Sequence, residues 1–184
     1  MTAKQEFNAK KLEAMNCFDI YVEPILKAYW DYQLFRIEDI NSDVSQKLDT
    51  YAGIDMFGLH KKHHIMHGIS LRNQTGETNF RTFTIREQKD NGSINTELQK
   101  RIFAIKNSTL YPHYAIQSYV NLDNKKLLGF AIARTIDIIE KAIQPECDTR
   151  TGYSGQIFKV VKFDDLERYE YTPEMQFKKI KAGD

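Results

Sequence analysis

The sequence predicts a single α/β domain in which a central mixed sheet is flanked by helices, and three observations predict it. Residues 21–35 carry apolar and aromatic side chains at helical spacing. Residues 53–86 change to short runs of β-branched and aromatic residues separated by turn residues, which is typical of strands. A helix-spaced segment over residues 95–106 separates these strands from another strand over residues 111–122. The predicted core order is therefore α-β-β-β-α-β.

The bulk properties of the chain fit one globular domain. Its 184 residues, of which 41% are hydrophobic and 28% charged, can bury one core but are few for two. No apolar run approaches the roughly 18 residues of a membrane span, and the first residues lack the apolar segment of a secretory signal. The two cysteines, Cys17 and Cys147, stand in unrelated contexts, which is typical of free thiols in a reducing compartment. We therefore expect a cytoplasmic protein with no membrane partner.

Helices are predicted before the sheet. No repeat or low-complexity linker divides the chain, so residues 20–184 are predicted to form the domain and residues 1–19 a charged helical arm. A short helix is predicted over residues 42–48, with Ser42 at its N-cap. The helix over residues 21–35 has an apolar face made of Tyr21, Ile25, Tyr29 and Tyr32.

The remaining elements follow from alternation, turn residues and capping. In chain order, strands are predicted over residues 53–59, 64–73, 80–86, 111–122, 127–133 and 156–163. Helices are predicted over residues 95–106 and 137–143, and a short terminal helix from Asp164.

The charge is unevenly distributed, although its sum is only +1. Residues 1–55 hold six Lys and Arg against ten Asp and Glu, residues 56–110 hold nine against four, and residues 111–184 hold eleven of each. A basic centre with an acidic residue at its edge suits a polyanion-binding site that also holds a metal ion. An excess of this size also fits an ordinary solvated surface, so both interpretations stay open.

Asp55 and Arg72 are the strongest candidates for chemistry. Asp55 follows an apolar turn, and Arg72 lies on the next predicted strand, so adjacent strands can bring both side chains to one end of the sheet. A carboxylate and a cation that converge there suit metal-dependent cleavage of a phosphodiester bond. Asp49, six residues before Asp55, is a candidate second carboxylate for the metal; its alternative role is that of an exposed residue at a helix end.

The segments Gly53-Ile54-Asp55 and Gly68-Ile69-Ser70-Leu71-Arg72, with the α-β-β-β-α-β order, resemble the PD-(D/E)xK nuclease-like superfamily over roughly residues 20–122. The resemblance implies a restriction-endonuclease-like fold, Mg²⁺ or Mn²⁺ as cofactor and nucleic acid as partner, with DNA expected over RNA. It implies that Asp55 is the metal-binding aspartate, that Ser70 stands in the acidic position and that Arg72 stands in the lysine position. The family carries its aspartate on the second core strand, whereas residues 53–59 are the first predicted strand here. The resemblance therefore implies a further short strand upstream.

The two substituted positions leave the activity open. A serine hydroxyl at Ser70 is a weak Mg²⁺ ligand, and the Arg72 guanidinium stays protonated, so it cannot act as a base. Arg72 can still neutralise charge on a phosphate in the transition state. A literal E-x-K at residues 87–89 falls where a strand gives way to a turn and is a weaker alternative register. The chain is thus either a divergent active nuclease or a degenerate scaffold that holds nucleic acid or protein without cutting.

Four basic residues are candidates for holding the nucleic-acid backbone. Arg86 lies on the predicted strand beside that of Arg72, so the two can clamp a phosphate or, alternatively, serve as edge-strand charges. Lys100 lies on the helix that follows and is expected to position the same backbone. Lys61 and Lys62 lie in a basic, histidine-rich hairpin that suits contact with a polyanion.

Three other features carry alternatives. The H-x-x-H-H-x-x-H spacing of residues 60–67 would suit zinc on one helix, but the flanking glycines favour a hairpin. Glu97 is expected to be a first-turn residue stabilised by the helix dipole and by Lys100 one turn away; the resemblance implies the alternative that a polar residue of this helix points into the cleft. An assembly component would use the apolar helix that carries Tyr29, Trp30 and Tyr32 to dock a protein partner or a second copy. No glycine-rich phosphate-loop motif and no hydrolase-triad motif is present in the sequence.

Overall fold

A computed structural model describes residues 12–13, 15–37, 42–92, 95–152 and 155–183. Within this part of the chain, ten strands form two sheets. The strands are β1 (Tyr32–Arg36), β2 (Met56–His60), β3 (Met66–Thr75), β4 (Thr82–Gln88), β5 (Tyr114–Asn121), β6 (Lys126–Arg134), β7 (Thr149–Thr151), β8 (Ile157–Lys162), β9 (Arg168–Thr172) and β10 (Gln176–Ile180). The helices discussed below are α1 (Glu23–Tyr29), α2 (Ser42–Lys47), α3 (Glu97–Lys106) and α4 (Thr135–Ala142).

The larger sheet has seven strands in the order β1-β2-β3-β5-β6-β9-β10. Its neighbouring strands are antiparallel except for β3 and β5, which pair in parallel from Ile69–Tyr114 to Thr75–Val120. A parallel pair needs a long crossover connection, and here β4 and α3 supply it. The chain is therefore a mixed α/β protein with a mixed central sheet, as the sequence predicts.

Each face of the large sheet is covered by an apolar layer. On one face, the segment that ends in α1 packs Val22 and Leu26 against Ile69 and Ile116. On the other face lies the smaller sheet, with strand order β4-β8-β7. Its inward side chains pack with those of β6, α3 and α4 in a second cluster that includes Phe83, Ile85, Val161, Ala131, Leu98 and Ile138. The small sheet thus closes over the middle of the large one.

The predicted helix over residues 21–35 is correct only in its first part. A π-helical turn over Phe18–Val22 continues into α1, and the helix ends at Tyr29 because Trp30 has the extended angles φ −105° and ψ 132°. The chain then forms β1, which pairs with β2. Aromatic residues at Trp30 and Tyr32 fit both a helical face and a strand. Because both are buried, Tyr29 is the exposed member of the predicted docking face.

The new strand β1 changes the place of Asp55 in the sheet. Asp55 directly precedes β2, which is the second strand of the large sheet in chain order. The prediction of residues 53–59 as the first strand was therefore wrong. The hairpin of β2 and β3, helix α3, and strands β5 and β6 are confirmed close to their predicted positions.

The predicted terminal helix at Asp164 is also wrong. A 3₁₀ turn over Phe163–Asp165 is followed by the hairpin of β9 and β10, which completes one edge of the large sheet. Strand β9 was missed because its two buried side chains, Arg168 and Glu170, are charged rather than apolar. Its pattern therefore looks like a surface in the sequence.

Strand β4 lies in the small sheet and not beside β3 in the large one. The prediction that Arg72 and Arg86 protrude from neighbouring strands of one sheet was therefore wrong. The physical reason is the alternation of β4, since Phe83 and Ile85 turn inward to pack against the large sheet instead of extending it.

Four charged residues join the two sheets, and we call them the closed cluster. Arg81 Nε lies 2.8 Å from Glu170 Oε1, and Arg168 Nε lies 2.7 Å from Glu170 Oε2. Asp164 Oδ1 lies 2.9 Å from Arg81 Nη2 and 2.8 Å from Arg168 Nη2. Two positive and two negative charges therefore balance around Glu170, which is fully buried.

The N-terminal arm predicted over residues 1–19 lies mostly outside the described residues. Of its described part, Cys17 and Phe18 are buried in the apolar layer that contains α1. None of the helices in the described ranges has the length and apolar content to cross a membrane.

Candidate functional site

A pocket of about 400 Å³ opens between the two sheets and is bounded by α3 and by the π-helical turn over Leu48–Ala52. Strands β3 and β5 of the large sheet form one wall, and β4 of the small sheet forms another. The pocket brings together six of the eight site residues predicted from the sequence: Asp49, Asp55, Ser70, Arg72, Arg86 and Lys100.

The other two predicted residues, Lys61 and Lys62, lie elsewhere. They occupy the exposed turn that connects β2 to β3, whereas Asp55 lies at the opposite end of β2. A five-residue strand spans roughly 17 Å, so the two lysines are far from the carboxylate. Lys61 Nζ donates instead to the carbonyl of Trp30 at 3.4 Å. The structure therefore does not bring these two lysines to the pocket.

Asp55 is fixed to the backbone of β3. Its Oδ2 accepts a hydrogen bond from the Leu71 N–H at 2.7 Å, and its own N–H donates to the Ile69 carbonyl at 2.9 Å. Side chains alternate along a strand, so Ser70 and Arg72 share the face of β3 that lines the pocket. The short apolar turn before β2 thus places a carboxylate beside both substituted positions.

Arg72 and Arg101 hold Glu97 between them. Arg72 Nη2 donates to Glu97 Oε2, and Arg72 Nη1 lies 3.4 Å from Thr84 Oγ1. Arg101 Nη2 lies 3.6 Å from Glu97 Oε1, one helical turn away on α3. Arg101 is only 5% exposed. Glu97, which was expected to be stabilised by the helix dipole, therefore lines the pocket and pairs with two arginines.

Arg101 is held in place by backbone carbonyls next to Gly53. Its guanidinium donates to the carbonyls of Ala52 and Gly53, the latter at 3.1 Å. Gly53 ends the π-helical turn with φ 61°, a left-handed conformation that favours glycine. A Cβ atom at this position would lie 2.9 Å from Arg101 Nη2. Gly53 therefore permits the turn and also leaves room for the arginine beneath it.

The electrostatic surroundings keep Glu97 ionised. Burial by itself would raise the pKa of this carboxyl, but Arg72 and Arg101 favour the charged form. The backbone N–H of Arg86 also hydrogen-bonds the carboxylate, and together these groups hold the pKa of Glu97 below its ordinary value. Glu97 is thus a carboxylate whose charge is engaged by the neighbouring cations.

Arg86 faces a second cation. The guanidinium carbons of Arg72 and Arg86 lie 5.7 and 5.8 Å from the centre of the same Phe158 ring. Burial first, and repulsion from Arg72 second, lower the pKa of Arg86. Arg86 Nε is buried and has no hydrogen-bond partner among the described residues. A buried donor without a partner costs free energy, and an anion that accepts from it would remove that cost.

Two more residues of the pocket lining have buried polar atoms without hydrogen-bond partners among the described residues. Gln117 on β5 and Thr135 at the start of α4 both line the pocket. They are only 1% and 2% exposed. Gln117 Oε1 accepts from Thr84 Oγ1 at 3.4 Å, but Gln117 Nε2 and Thr135 Oγ1 have no partner in the part of the chain that the structure describes. The pocket therefore offers polar groups that the protein itself does not satisfy.

The sequence analysis missed several residues of this pocket. Glu97 and Arg101 share the i,i+4 spacing of a helical ion pair, so their pairing was visible but their burial was not. Gln117 is a large polar residue in a strand rich in β-branched and aromatic residues, and this is a signal that could have been used. Tyr51, which is 75% exposed on the π-helical turn, also lines the pocket.

The charges that line the pocket are predominantly positive. Its five cations are Arg72, Arg86, Lys89, Lys100 and Arg101. Its three carboxylates are Asp49, Asp55 and Glu97. The difference of two positive charges suits an anionic ligand.

The carboxylates that line the pocket do not form a preformed metal centre. Among the described residues, no group of three or more His, Cys, Asp or Glu side chains is arranged to hold a metal ion. Of the three carboxylates in the lining, Glu97 is paired with Arg72 and Arg101, so Asp49 and Asp55 are the two that could contact an ion. Mg²⁺ often binds through one or two carboxylates together with substrate phosphates. These residues therefore fit Mg²⁺ or Mn²⁺ when a substrate supplies further oxygens.

Comparison with known proteins assigns no family to this chain. The sequence matches no protein-family model, and it matches no curated protein. The chemistry of the pocket is therefore what supports a function.

Proposed function

We propose that this protein binds nucleic acid and that a backbone phosphate enters the pocket between the two sheets. The observation that carries the proposal is the pair of arginines against Phe158. Arg72 and Arg86 repel each other there, and Arg86 Nε is buried without a partner within the described ranges. A phosphate oxygen accepts hydrogen bonds from arginine and neutralises the repulsion at the same time.

The strand order supports a nuclease-like scaffold for this pocket. Asp55 directly precedes the second strand of the large sheet, which is where the PD-(D/E)xK family carries its aspartate. Ser70 and Arg72 follow on the neighbouring strand, and α3 crosses over to the parallel strand β5. The upstream strand that the resemblance implied corresponds to β1. We therefore extend the proposal to a restriction-endonuclease-like fold.

An exposed aromatic residue at the pocket supports nucleic acid over a simple anion. Tyr51 lines the pocket while three quarters of its surface is exposed. Stacking of a base on an aromatic side chain contributes about 1–3 kcal/mol and tolerates any sequence. A strand whose phosphate lies between Arg72 and Arg86 would gain a base contact at Tyr51.

Binding is tested with fluorescently labelled single- and double-stranded DNA and RNA of one sequence, titrated at several salt concentrations. Arg86→Gln is expected to weaken binding about tenfold or more, since it removes a charged donor. For single strands, the slope of log affinity against log salt is expected to fall by roughly 0.7 for one lost phosphate contact. We expect tighter binding of DNA than of RNA.

The matched control is Arg150→Gln. Arg150 lies on β7 of the same small sheet, is exposed and stacks on Phe80, but it does not line the pocket. Equal loss of affinity in both variants would place binding on the general surface charge. Absence of binding to all four nucleic acids would overturn the proposal.

A second candidate function is Mg²⁺- or Mn²⁺-dependent cleavage of the bound phosphodiester. It is favoured by the position of Asp55, whose carboxylate is fixed beside Ser70 and Arg72 by the Leu71 N–H. Asp55 and Asp49 would hold the ion, which supplies an activated water and polarises the phosphate. Arg72 would stabilise the charge that develops on the phosphate, and Arg86 and Lys100 would position the backbone.

Cleavage is tested by incubating the protein with linear, circular and single-stranded DNA and with RNA, in Mg²⁺ or Mn²⁺. Asp55→Ala is expected to abolish cleavage while binding persists. The matched control is Asp123→Ala, which removes an exposed carboxylate in the turn between β5 and β6. Unchanged cleavage by Asp55→Ala would eliminate this assignment. Binding without cleavage by the wild type would leave a binding module on the same scaffold.

A further inference from the structure

Another pocket lies on the large sheet, just beyond the C-terminal end of α1. Its volume is about 340 Å³, which falls in the usual range of pockets for small ligands. It lies at the end of β2 that leads into the turn with Lys61 and Lys62, whereas Asp55 lies at the other end of this strand. It shares no lining residue with the pocket between the two sheets. The two pockets are therefore separate.

Rings make up most of the lining, and we call this space the aromatic pocket. Of its ten lining residues, five are Tyr or Trp and three are His. The Trp30 ring centre lies 4.4 Å from that of Tyr32 and 5.7 Å from that of Tyr114. The Tyr32 hydroxyl donates to the Tyr114 hydroxyl at 3.5 Å and lies 3.0 Å from His67 Nδ1. Rings from β1, β3 and β5 therefore meet at one point.

The opposite wall is also aromatic. Tyr29, at the end of α1, and Tyr169, on β9, both stack on Phe177, with ring centres 6.3 and 5.6 Å apart. Tyr169 is near enough to Tyr32 to contribute, after burial and Tyr114, to the raised pKa of the Tyr32 hydroxyl. The two groups of rings therefore face one common space.

The rings of the aromatic pocket differ in how far a ligand can reach them. Trp30 and Tyr32 are only 4% and 6% exposed, so they form the floor. Tyr29 is 66% exposed, and Tyr114 and Tyr169 are half-buried. A ligand can therefore contact these three tyrosines from solvent while the floor stays packed.

The charges of the aromatic pocket favour a cation. Among the described residues that line it there is no lysine or arginine, and its carboxylate is that of exposed Asp31. Burial first, and the neighbouring His113 and His60 next, lower the pKa of His67, so this imidazole is neutral at pH 7. Helix α1 ends at Tyr29, and the C-terminal carbonyls of a helix carry partial negative charge. An anion would therefore find no charged partner in this lining.

The lining also selects among cations. The faces of tyrosine and tryptophan rings are electrostatically negative, so they attract positive charge without accepting a conventional hydrogen bond. A lysine ammonium is strongly hydrated and has three N–H donors that need acceptors. A quaternary ammonium has no N–H donor, and its methyl groups are apolar. Aromatic walls with one carboxylate therefore suit the quaternary form best.

From these observations we infer that the aromatic pocket binds a quaternary ammonium group. The methyl groups contact Tyr114 and Tyr169 above the floor, Tyr29 closes the outer side, and the Asp31 carboxylate balances the charge. The group can belong to a free small molecule of the choline class or to a trimethylated lysine of a peptide. This site is distinct from the proposed phosphate site and does not depend on it.

The test titrates the full-length protein with choline chloride and with 3,3-dimethyl-1-butanol, a neutral molecule of the same shape. Calorimetry measures the affinities at constant ionic strength and at pH 8, where imidazoles carry no charge. Trp30 is the only tryptophan of the chain, so its fluorescence reports on the floor of the pocket. Choline is expected to bind about tenfold or more tightly than the alcohol, because only choline is attracted to the ring faces and to Asp31.

Two further probes identify the source of the group. They are one short peptide with a trimethylated lysine and the same peptide with an unmodified lysine. The trimethylated peptide is expected to bind more tightly than the unmodified one. Whether it also binds more tightly than choline distinguishes a modified protein from a free small molecule.

Variants at two exposed positions locate the binding site. Asp31→Asn keeps the shape of the side chain but removes its charge, so choline affinity should fall severalfold while that of the alcohol is unchanged. Tyr29→Ala removes the outer ring and should weaken both ligands. The matched controls are Asp123→Asn, in the turn between β5 and β6, and Phe103→Ala on α3, which is 64% exposed. Both controls are expected to keep the full affinity for choline.

Three outcomes would overturn the inference. Equal affinity for choline and for the alcohol would mean that the pocket does not select positive charge. Absence of binding to choline and to the trimethylated peptide would eliminate the site. Choline affinity that persists undiminished in both Asp31→Asn and Tyr29→Ala would mean that choline binds elsewhere on the protein.

Discussion

Two groups of arginines and carboxylates contact the small sheet, and they differ in how completely they are satisfied. The closed cluster pairs two arginines with two carboxylates, and Arg168 also donates to the Leu166 carbonyl at 3.1 Å. We call the second group, formed by Arg72, Arg86, Glu97 and Arg101, the pocket cluster. It has three arginines and one carboxylate, and it leaves Arg86 Nε without a partner.

The difference shows how burial of charge can serve structure or binding. A buried ion pair contributes little net stability when it is complete, but breaking it leaves an uncompensated charge. The closed cluster is complete, so nothing further is needed from a ligand. In the pocket cluster, the half-buried guanidinium groups of Arg72 and Arg86 lie close together, and Arg86 Nε has no hydrogen-bond partner among the described residues. This arrangement costs stability until an anion binds. The two clusters should therefore respond to mutation in opposite ways.

The largest effect is expected in the closed cluster. Glu170→Ala removes the carboxylate that both Arg81 and Arg168 contact, and Arg168 is only 4% exposed. We expect the free energy of unfolding to fall by about 3–5 kcal/mol, as is typical when one partner of a buried ion pair is removed. Urea denaturation measures the change, with Glu174→Ala in the exposed β9–β10 turn as the control. A loss below about 1 kcal/mol would contradict a structural role for this cluster.

For Glu97→Gln we expect an intermediate loss of stability together with stronger binding of nucleic acid. The change removes the carboxylate between Arg72 and Arg101, so the free energy of unfolding should fall by about 1.5–3 kcal/mol. The loss of a negative charge should at the same time strengthen binding of nucleic acid. Urea denaturation and a binding titration measure the two quantities, with exposed Glu140→Gln on α4 as the control. Weaker binding would indicate that Glu97 contacts the ligand directly.

A small effect on stability is expected for Arg86→Gln, although the same change should weaken binding strongly. Removal of the charge relieves repulsion with Arg72 and removes a buried unpaired donor. We expect the free energy of unfolding without ligand to stay within about 0.5 kcal/mol of wild type or to rise. This outcome is the reverse of that for Glu170→Ala. Destabilisation comparable to that variant would mean that Arg86 holds the fold together.

The smallest effect concerns pH. The pKa of Glu97 is lower in the folded chain than its ordinary value, so its contribution is present above the unfolded pKa of about 4.3. The contribution disappears as the pH falls through the folded pKa. The difference in unfolding free energy between wild type and Glu97→Gln should therefore shrink between pH 6 and pH 3. A difference that stays constant over this range would contradict a charged Glu97.

The elements with one clear periodicity were predictable from the sequence, and the charged interior was not. The β2–β3 hairpin and α3 have turns, caps and spacing that point to a single structure. In β9, by contrast, Arg168 and Glu170 take the inward positions that normally hold apolar residues. Asp164 lies only four residues before Arg168, but Arg81, which pairs with Glu170, comes from the segment before β4. The local sequence does not indicate that an ion pair with such a distant residue stabilises the buried charges of β9.

The candidate site shows the same division. Asp55, Ser70 and Arg72 belong to short segments of one hairpin, so their proximity could be predicted from the sequence. Arg86 lines the pocket from β4 of the small sheet, whereas the sequence predicted that its strand lies beside β3 in the large sheet. Gln117 joins the pocket only through the parallel pairing of β3 with β5. When a long crossover connection brings residues together, the sequence around each residue does not predict that contact.

That parallel pairing also has a kinetic consequence. A parallel pair cannot form through a tight turn, so the chain must first close a loop that contains β4 and α3, and such nonlocal contacts slow folding. Arg72, Arg86, Glu97 and Gln117 lie on the four elements that this loop closure brings together. A refolding chain can therefore acquire its affinity for phosphate only after the crossover has docked. In a refolding experiment, the appearance of ligand binding would time this docking step, whereas helix formation would be seen earlier.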